Sequence, residues 1–179
     1  MDDLLLDRWA RLPHDVKAEL VGGRVRVMEP TGHRPGRAAL RIVVSLAAHE
    51  GKTPGIAFGD NVGFVVDLPA RGSFSPDAAW YTGPPGGMRF LPGAPIFAAE
   101  VRSAGDYGSA AEREMAEKRA DYFAAGTLVV WDVDLLGADT VRVHRATAPE
   151  APEVYRRGET AEAEPAVPGW RLAVDELFG

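Results

Sequence analysis

The stretch from Ile96 to Val133 constrains the fold more than any other. Ile96 to Arg102 is a short apolar run of the kind expected for a central strand buried on both faces. Ser109-Ala110-Ala111-Glu112 has capping-box spacing and opens a helix that runs to about Ala125, where Gly126 suits the C-terminal stop. Leu128 to Val133 then reads as a second buried strand. A helix between two strands of one sheet makes a right-handed crossover. The fold expected is therefore α/β, a mixed central sheet with at least one helix packed on it.

The flanks extend this unit. Asp2 to Arg11 reads as a short helix stopped by Pro13. Ala18 to Val21 and Arg24 to Met28 form a hairpin around Gly22-Gly23. Glu29 to Gly36 is a loop, and Arg37 to Glu50 carries apolar residues at 40, 43, 44, 47 and 48, the spacing of an amphipathic helix. Strands are expected at 56–58, 62–67 and 74–81, with a Gly/Pro-rich loop from Thr82 to Pro95. Thr140 to Arg145 reads as a hairpin partner of the Leu128 strand and Glu153 to Arg157 as an edge strand. The tail, with Pro168-Gly169-Trp170 and a final helical turn, is expected to pack on the outside. The 179 residues suit a single domain, with a core over about 37–134, an N-terminal helix and hairpin over 1–29 and C-terminal strands and tail over 140–179.

Composition narrows the chemistry. The chain has no cysteine, which excludes disulfides, thiolate nucleophiles and cysteine-ligated metals and fits a reducing cytoplasm. The acidic start lacks the basic and apolar regions of a secretory signal, and no apolar run reaches the length of a membrane span. The net charge of −6 counts against gripping nucleic acid by electrostatics alone. Glycine-rich phosphate loops, Gly-x-Ser-x-Gly elbows and His-Glu-x-x-His are absent.

Two carboxylates stand out. Asp77, after Pro76, and Glu100, at the end of Ile96-Phe97-Ala98-Ala99, each fall in a strand expected to be buried. Burying a carboxylate is costly unless a cation, a metal or several hydrogen bonds compensate it. The alternatives are a turn cap for Asp77 and a solvent-facing strand end for Glu100. Lys118 shares one helix stripe with Ala111, Met115, Tyr122 and Ala125, which turns it toward the sheet; its alternative is a stem lying over the core with its ammonium at the rim. His14, His49 and His144 show no metal spacing.

These residues carry a resemblance. Glu19-Leu20-Val21-Gly22-Gly23, Pro76-Asp77, Glu100-Val101-Arg102-Ser103, the Glu112–Tyr122 helix with Lys118, Gly126 to Val133, Pro168-Gly169-Trp170 and Glu176-Leu177-Phe178 resemble, in order and spacing, the Uma2 family (DUF820), restriction-endonuclease-like proteins of the PD-(D/E)XK nuclease fold. The resemblance implies that Asp77, Glu100 and the backbone carbonyl of Val101 hold Mg²⁺ or Mn²⁺. The superfamily's usual lysine, two residues after the second acid, is Arg102 here, and arginine is a poor general base. Lys118 matches a helix position to which relatives move that lysine. Glu19 is an outer carboxylate and His33 a phosphate or water contact by the same resemblance, which also implies a homodimer; the alternative for His33 is a surface histidine of no special role. Arg34, Arg37 and Arg41 can track a phosphate backbone or form a solvated face.

The function expected is a metal-dependent DNA endonuclease in which Asp77, Glu100, Lys118 and Arg102 serve catalysis. The alternative is a nuclease-like fold with weak or no turnover, acting as a nucleic-acid-binding or assembly module. A metal-free acid–base enzyme, such as a glycosidase, is a third reading and needs its two carboxyls across a sugar-sized cleft.

Overall fold

The computed structural model describes residues 3–13 and 16–178. The chain opens with helix α1 (Asp3–Ala10) and the hairpin of β1 (Ala18–Val21) and β2 (Arg24–Val27), then enters helix α2 (His33–Ala47). Strands β3 (Ile56–Gly59), β4 (Phe64–Val65), β5 (Ser73–Phe74), β6 (Ala78–Tyr81), β7 (Leu91–Pro92) and β8 (Phe97–Val101) follow, and then helix α3 (Ser109–Ala124). The C-terminal third holds β9 (Val129–Asp134), β10 (Thr140–Arg145), β11 (Ala148–Arg156), β12 (Thr160–Glu162), β13 (Arg171–Ala173) and a 3₁₀ turn, Val174–Leu177.

Six strands form the central sheet, in the order β11-β10-β9-β8-β6-β3. β8 and β9 run parallel, with Phe97 opposite Val129, and α3 makes the crossover between them. Every other neighbour in this sheet is antiparallel. Alternation along β8 sends Phe97, Ala99 and Val101 into the core beneath α2, with Ile42, Leu46 and Trp131. Ala98 faces the other way, into a core with Tyr122 of α3 and Val130. Glu100 shares the side of Ala98.

The hairpin is seated on this second face. The Leu20 N–H donates to Ser73 Oγ at 2.8 Å, and Leu20 O accepts from Gly72 N at 2.8 Å. Trp9 Nε1 donates to Ala18 O at 3.0 Å. Ala18 and Leu20 pack on Trp9 in a small core of their own, so Lys17 and Glu19 emerge on the opposite side of β1. Gly22 and Gly23 turn the hairpin with φ of 57° and 70°, the left-handed pair that a two-residue turn requires.

Several expectations need correction. Helix α2 starts at His33, inside the segment read as a loop. Pro35 sits in its first turn, where the missing N–H has no intrahelical partner to lose. The buried stripe of α2 is Ala38, Ala39, Ile42 and Leu46, whereas Leu40, Val44, Ala47 and Ala48 are exposed. Small residues let the helix lie close to the sheet, and the larger apolar ones misled the periodicity. The 74–81 run is two strands in different sheets, broken at Ser75-Pro76-Asp77. The 62–67 strand shrinks to two residues, and the Gly/Pro loop contains β7, paired parallel to β4. Ser109 is not a cap: Gly108 precedes α3 with no side-chain cap bond, and Glu112 turns to Arg102 instead. The tail is no outer layer, since Trp170, Leu172, Val174 and Leu177 are buried in the main core. His14 lies outside the described residues.

Candidate active site

The break at Pro76 positions the first acid. Asp77 N–H donates to Ala99 O at 3.1 Å, which ties Asp77 to β8 one step beyond the β6–β8 ladder. Its Oδ2 accepts the Val101 N–H at 2.8 Å. Asp77 therefore sits at the end of β8, next to Glu100 on the α3 side. Glu100 Oε1 accepts from Tyr122 OH at 2.7 Å and lies 2.8 Å from Lys118 Nζ.

Helix α3 is held there by ions more than by apolar packing, because Tyr122 is its one fully buried residue among those described. Lys118 bridges Glu100 and Glu19 Oε1, the latter at 2.9 Å. Glu19 is buried and also accepts from Arg71 Nη1 at 2.8 Å and from the Ser75 N–H at 2.9 Å. Arg71 in turn meets Asp121 of α3 at 2.7 Å. At the other end of the cluster, Lys17 Nζ lies 2.8 Å from Asp77 Oδ1 and 2.6 Å from Asp60 Oδ1.

The electrostatics separate the two glutamates. Burial pushes the Glu100 carboxyl above its usual range, Lys118 pulls it back, and the neighbouring Asp77 and Glu19 charges push it up again. For Glu19 burial also opposes charge, but Lys118 and Arg71 outweigh it and hold the carboxyl below its usual value. Lys17 and Lys118 both resist deprotonation. Burial works against their charge, and the carboxylates around them overcome it. Both side chains are thus held in their charged ammonium form.

Asp77, Glu100, Lys118 and Glu19 come together, and the Val101 backbone stands at the same strand end. Arg102 is engaged elsewhere. Its guanidinium grips Asp132 through Nε at 2.6 Å and Nη2 at 2.7 Å, and it pairs with Glu112 of α3. Asp132 stands opposite Glu100 on β9, so Arg102 occupies the same sheet face but is bound one strand over. His33, Arg34, Arg37 and Arg41 are exposed on α2, across the sheet from Lys118. The helix's N-terminal end still reaches the loop after β8, where Thr31 Oγ1 and Ser103 Oγ lie 3.5 Å apart.

A family model named Uma2 and described as "Putative restriction endonuclease" matches residues 5–175. The chain belongs to the Uma2 family. Among solved structures, the fold is similar to that of a "putative nuclease belonging to DUF820" from Anabaena variabilis ATCC 29413. The TM-score is 0.76, with 17% sequence identity and 97% of each chain covered, a likeness that speaks for the fold alone. No curated protein matches the chain.

Four members of this Uma2 cluster escaped the sequence reading: Lys17, Asp60, Arg71 and Asp121. Lys17 had a usable signal, since it stands two residues before Glu19, just ahead of β1, and extends the face of the strand that Glu19 occupies. Tyr122 was visible as part of the Lys118 stripe. Arg71, Asp60 and Asp121 had none, because their roles depend on loops and a helix brought together from distant parts of the chain.

Proposed function

We propose that this Uma2 protein is a metal-dependent endonuclease that hydrolyses phosphodiester bonds in DNA. The observation that carries this reading is the meeting of Asp77 and Glu100 on one face of the sheet, with the Lys118 ammonium 2.8 Å from Glu100. Asp77, Glu100 and the carbonyl of Val101 would hold Mg²⁺ or Mn²⁺. Among the described residues no three side chains of His, Cys, Asp or Glu form a metal-holding group. Two carboxylates with a carbonyl suit Mg²⁺, which is ordinarily bound through one or two carboxylates and keeps several waters. The charge balance fits as well. Glu19, Asp60, Asp77, Glu100 and Asp121 share three cations, Lys17, Arg71 and Lys118, which leaves two negative charges for a divalent ion to offset.

Such an ion supplies Lewis-acid polarisation of the phosphate and a bound water of lowered pKa. The chain's own groups do the rest. Lys118 stays protonated, so it orients the attacking water and offsets charge building on the phosphate oxygens. Glu19, Arg71 and Tyr122 fix Lys118 and Glu100 in place. Arg102, bound by Asp132 and Glu112, stands in the motif position as a strut between β8, β9 and α3. A homodimer would present two such sites, which suits double-strand cutting. Among the described residues no helix is long and apolar enough to cross a membrane, and we place the protein's work in the cytoplasm.

The test is cleavage of supercoiled plasmid and single-stranded DNA with Mg²⁺ or Mn²⁺. Asp77→Ala, Glu100→Ala and Lys118→Ala are each expected to lower the rate by about 10²-fold or more. Full activity in these variants overturns the site, and an inert wild type overturns the nuclease reading. The locked Arg102 favours a second reading, a fold that binds nucleic acid without turnover; binding of DNA by an inert wild type would select it.

A further inference from the structure

Both oxygens of Asp77 are engaged, by partners of different mobility. Oδ2 accepts from the Val101 N–H, a backbone group of β8 whose residue is paired with Val133 of β9 and so is fixed in the sheet. Oδ1 accepts from the Lys17 ammonium at 2.8 Å, and that ammonium lies 2.6 Å from Asp60 Oδ1. Asp60 stands after β3 with its side chain 46% exposed, while that of Asp77 is 18% exposed. Lys17 thus has an inner acceptor and an outer one, and a flexible four-carbon stem on which to move between them.

Lys118 has no such choice. Its acceptors, Glu19 and Glu100, have side chains only 3% and 21% exposed, and the helix stripe holds it between them.

We propose that Lys17 is an exchangeable counter-ion of the metal site: a divalent cation taken up by Asp77 and Glu100 displaces Lys17 from Asp77 Oδ1, and Asp60 retains it. The proposal rests on the metal-binding reading above. Oδ1 is the oxygen that no strand hydrogen bond holds, and Lys17 sits on it, so a cation taking that oxygen competes with the ammonium. An ammonium this close to a ligand atom also repels an incoming divalent charge, strongly where the dielectric is low. Lys17 therefore keeps the carboxylate aimed while lowering metal affinity, and Asp60 is the positioning residue that makes the exchange easy.

The experiment is calorimetric titration of Mn²⁺ into the purified full chain, with folding checked by circular dichroism. The chains compared are wild type, Lys17→Met, Lys17→Arg and Asp60→Asn. Lys17→Met is expected to bind Mn²⁺ about tenfold more tightly than wild type, because the competing charge is gone. Lys17→Arg keeps that charge and stays close to wild type. Asp60→Asn leaves the ammonium with Asp77 alone and weakens binding by about threefold or more. If wild type binds Mn²⁺ and Lys17→Met binds no more tightly, the exchange is overturned while the metal site stands. If neither wild type nor Lys17→Met binds, the metal reading falls and the exchange with it. Should Lys17→Met fail to fold, Asp60→Asn decides: unchanged or tighter binding overturns the exchange.

Discussion

Lys118 Nζ lies 2.9 Å from Glu19 Oε1, so the crossover helix and the N-terminal hairpin meet in one buried ion pair. Glu19 also receives Arg71 and the Ser75 N–H, and its removal leaves two cations short of their counter-charge. Glu19→Ala is expected to lower stability by about 3–5 kcal/mol, the usual cost of breaking a buried pair from one side. Urea denaturation at neutral pH measures it.

The pH dependence of stability at Glu19 has a definite sign. The folded Glu19 carboxyl titrates below its ordinary 4.5. Its stabilisation is present above the ordinary value and is lost as pH falls through the depressed one. The stability gap between wild type and Glu19→Gln should stay constant at neutral pH and close on acidification below about 4.5. Glu100 has the opposite sign. Its raised value means that its contribution is full below the ordinary range and is lost as pH rises through the folded one. Parallel titrations of Glu100→Gln should therefore show its gap changing on the alkaline side of Glu19's.

Tyr122→Phe removes the hydroxyl that donates to Glu100 at 2.7 Å and keeps the ring stacked on Phe74, with centroids 3.9 Å apart. The expected loss of stability is about 1 kcal/mol. That bond favours the ionised carboxylate, so the acid limb of the cleavage–pH profile should move to higher pH. An unmoved limb would separate Glu100 ionisation from the rate.

Arg102→Ala strips buried Asp132 of its two-pronged partner. We expect a loss of about 3–5 kcal/mol, with Arg102→Lys recovering only part because an ammonium cannot reproduce the fork. Cleavage per folded molecule should fall far less than in Lys118→Ala. Melting curves alongside rates of active-site-titrated samples decide between strut and catalyst.

The two stripes of α2 should respond differently. Ile42→Ala is expected to cost about 2–5 kcal/mol, as for a fully buried aliphatic side chain. Leu40→Gln and Val44→Gln, on the exposed side, should stay within about 0.5 kcal/mol of wild type. Chemical denaturation of the three variants checks the assignment.

Local signals determined much of this protein. The apolar runs at Ile96 and Leu128, with a helix between them, specify a parallel pair, because burial on both faces and crossover handedness depend on neighbouring sequence. Asp77, Glu100 and Lys118 were legible because each is a charged group in apolar surroundings along the chain. Lys118 falls on an inward helix stripe, Glu100 closes an apolar run, and Asp77 follows Pro76 in an apolar segment, though the structure places it at the break between β5 and β6. Gly22-Gly23 announced its turn through backbone freedom alone. Tertiary structure decided the remainder. Which side of α2 is buried depends on how closely the helix approaches the sheet, and Ala38 and Ala39 gain from proximity that no hydropathy pattern records. Arg102 sits where a motif lysine is expected, yet Asp132 and Glu112 claim it from another strand and a helix. Lys17, Asp60, Arg71 and Asp121 joined the site only when the hairpin, two loops and α3 closed around Asp77 and Glu100, since an ion pair depends on distance in space and leaves no period along the chain.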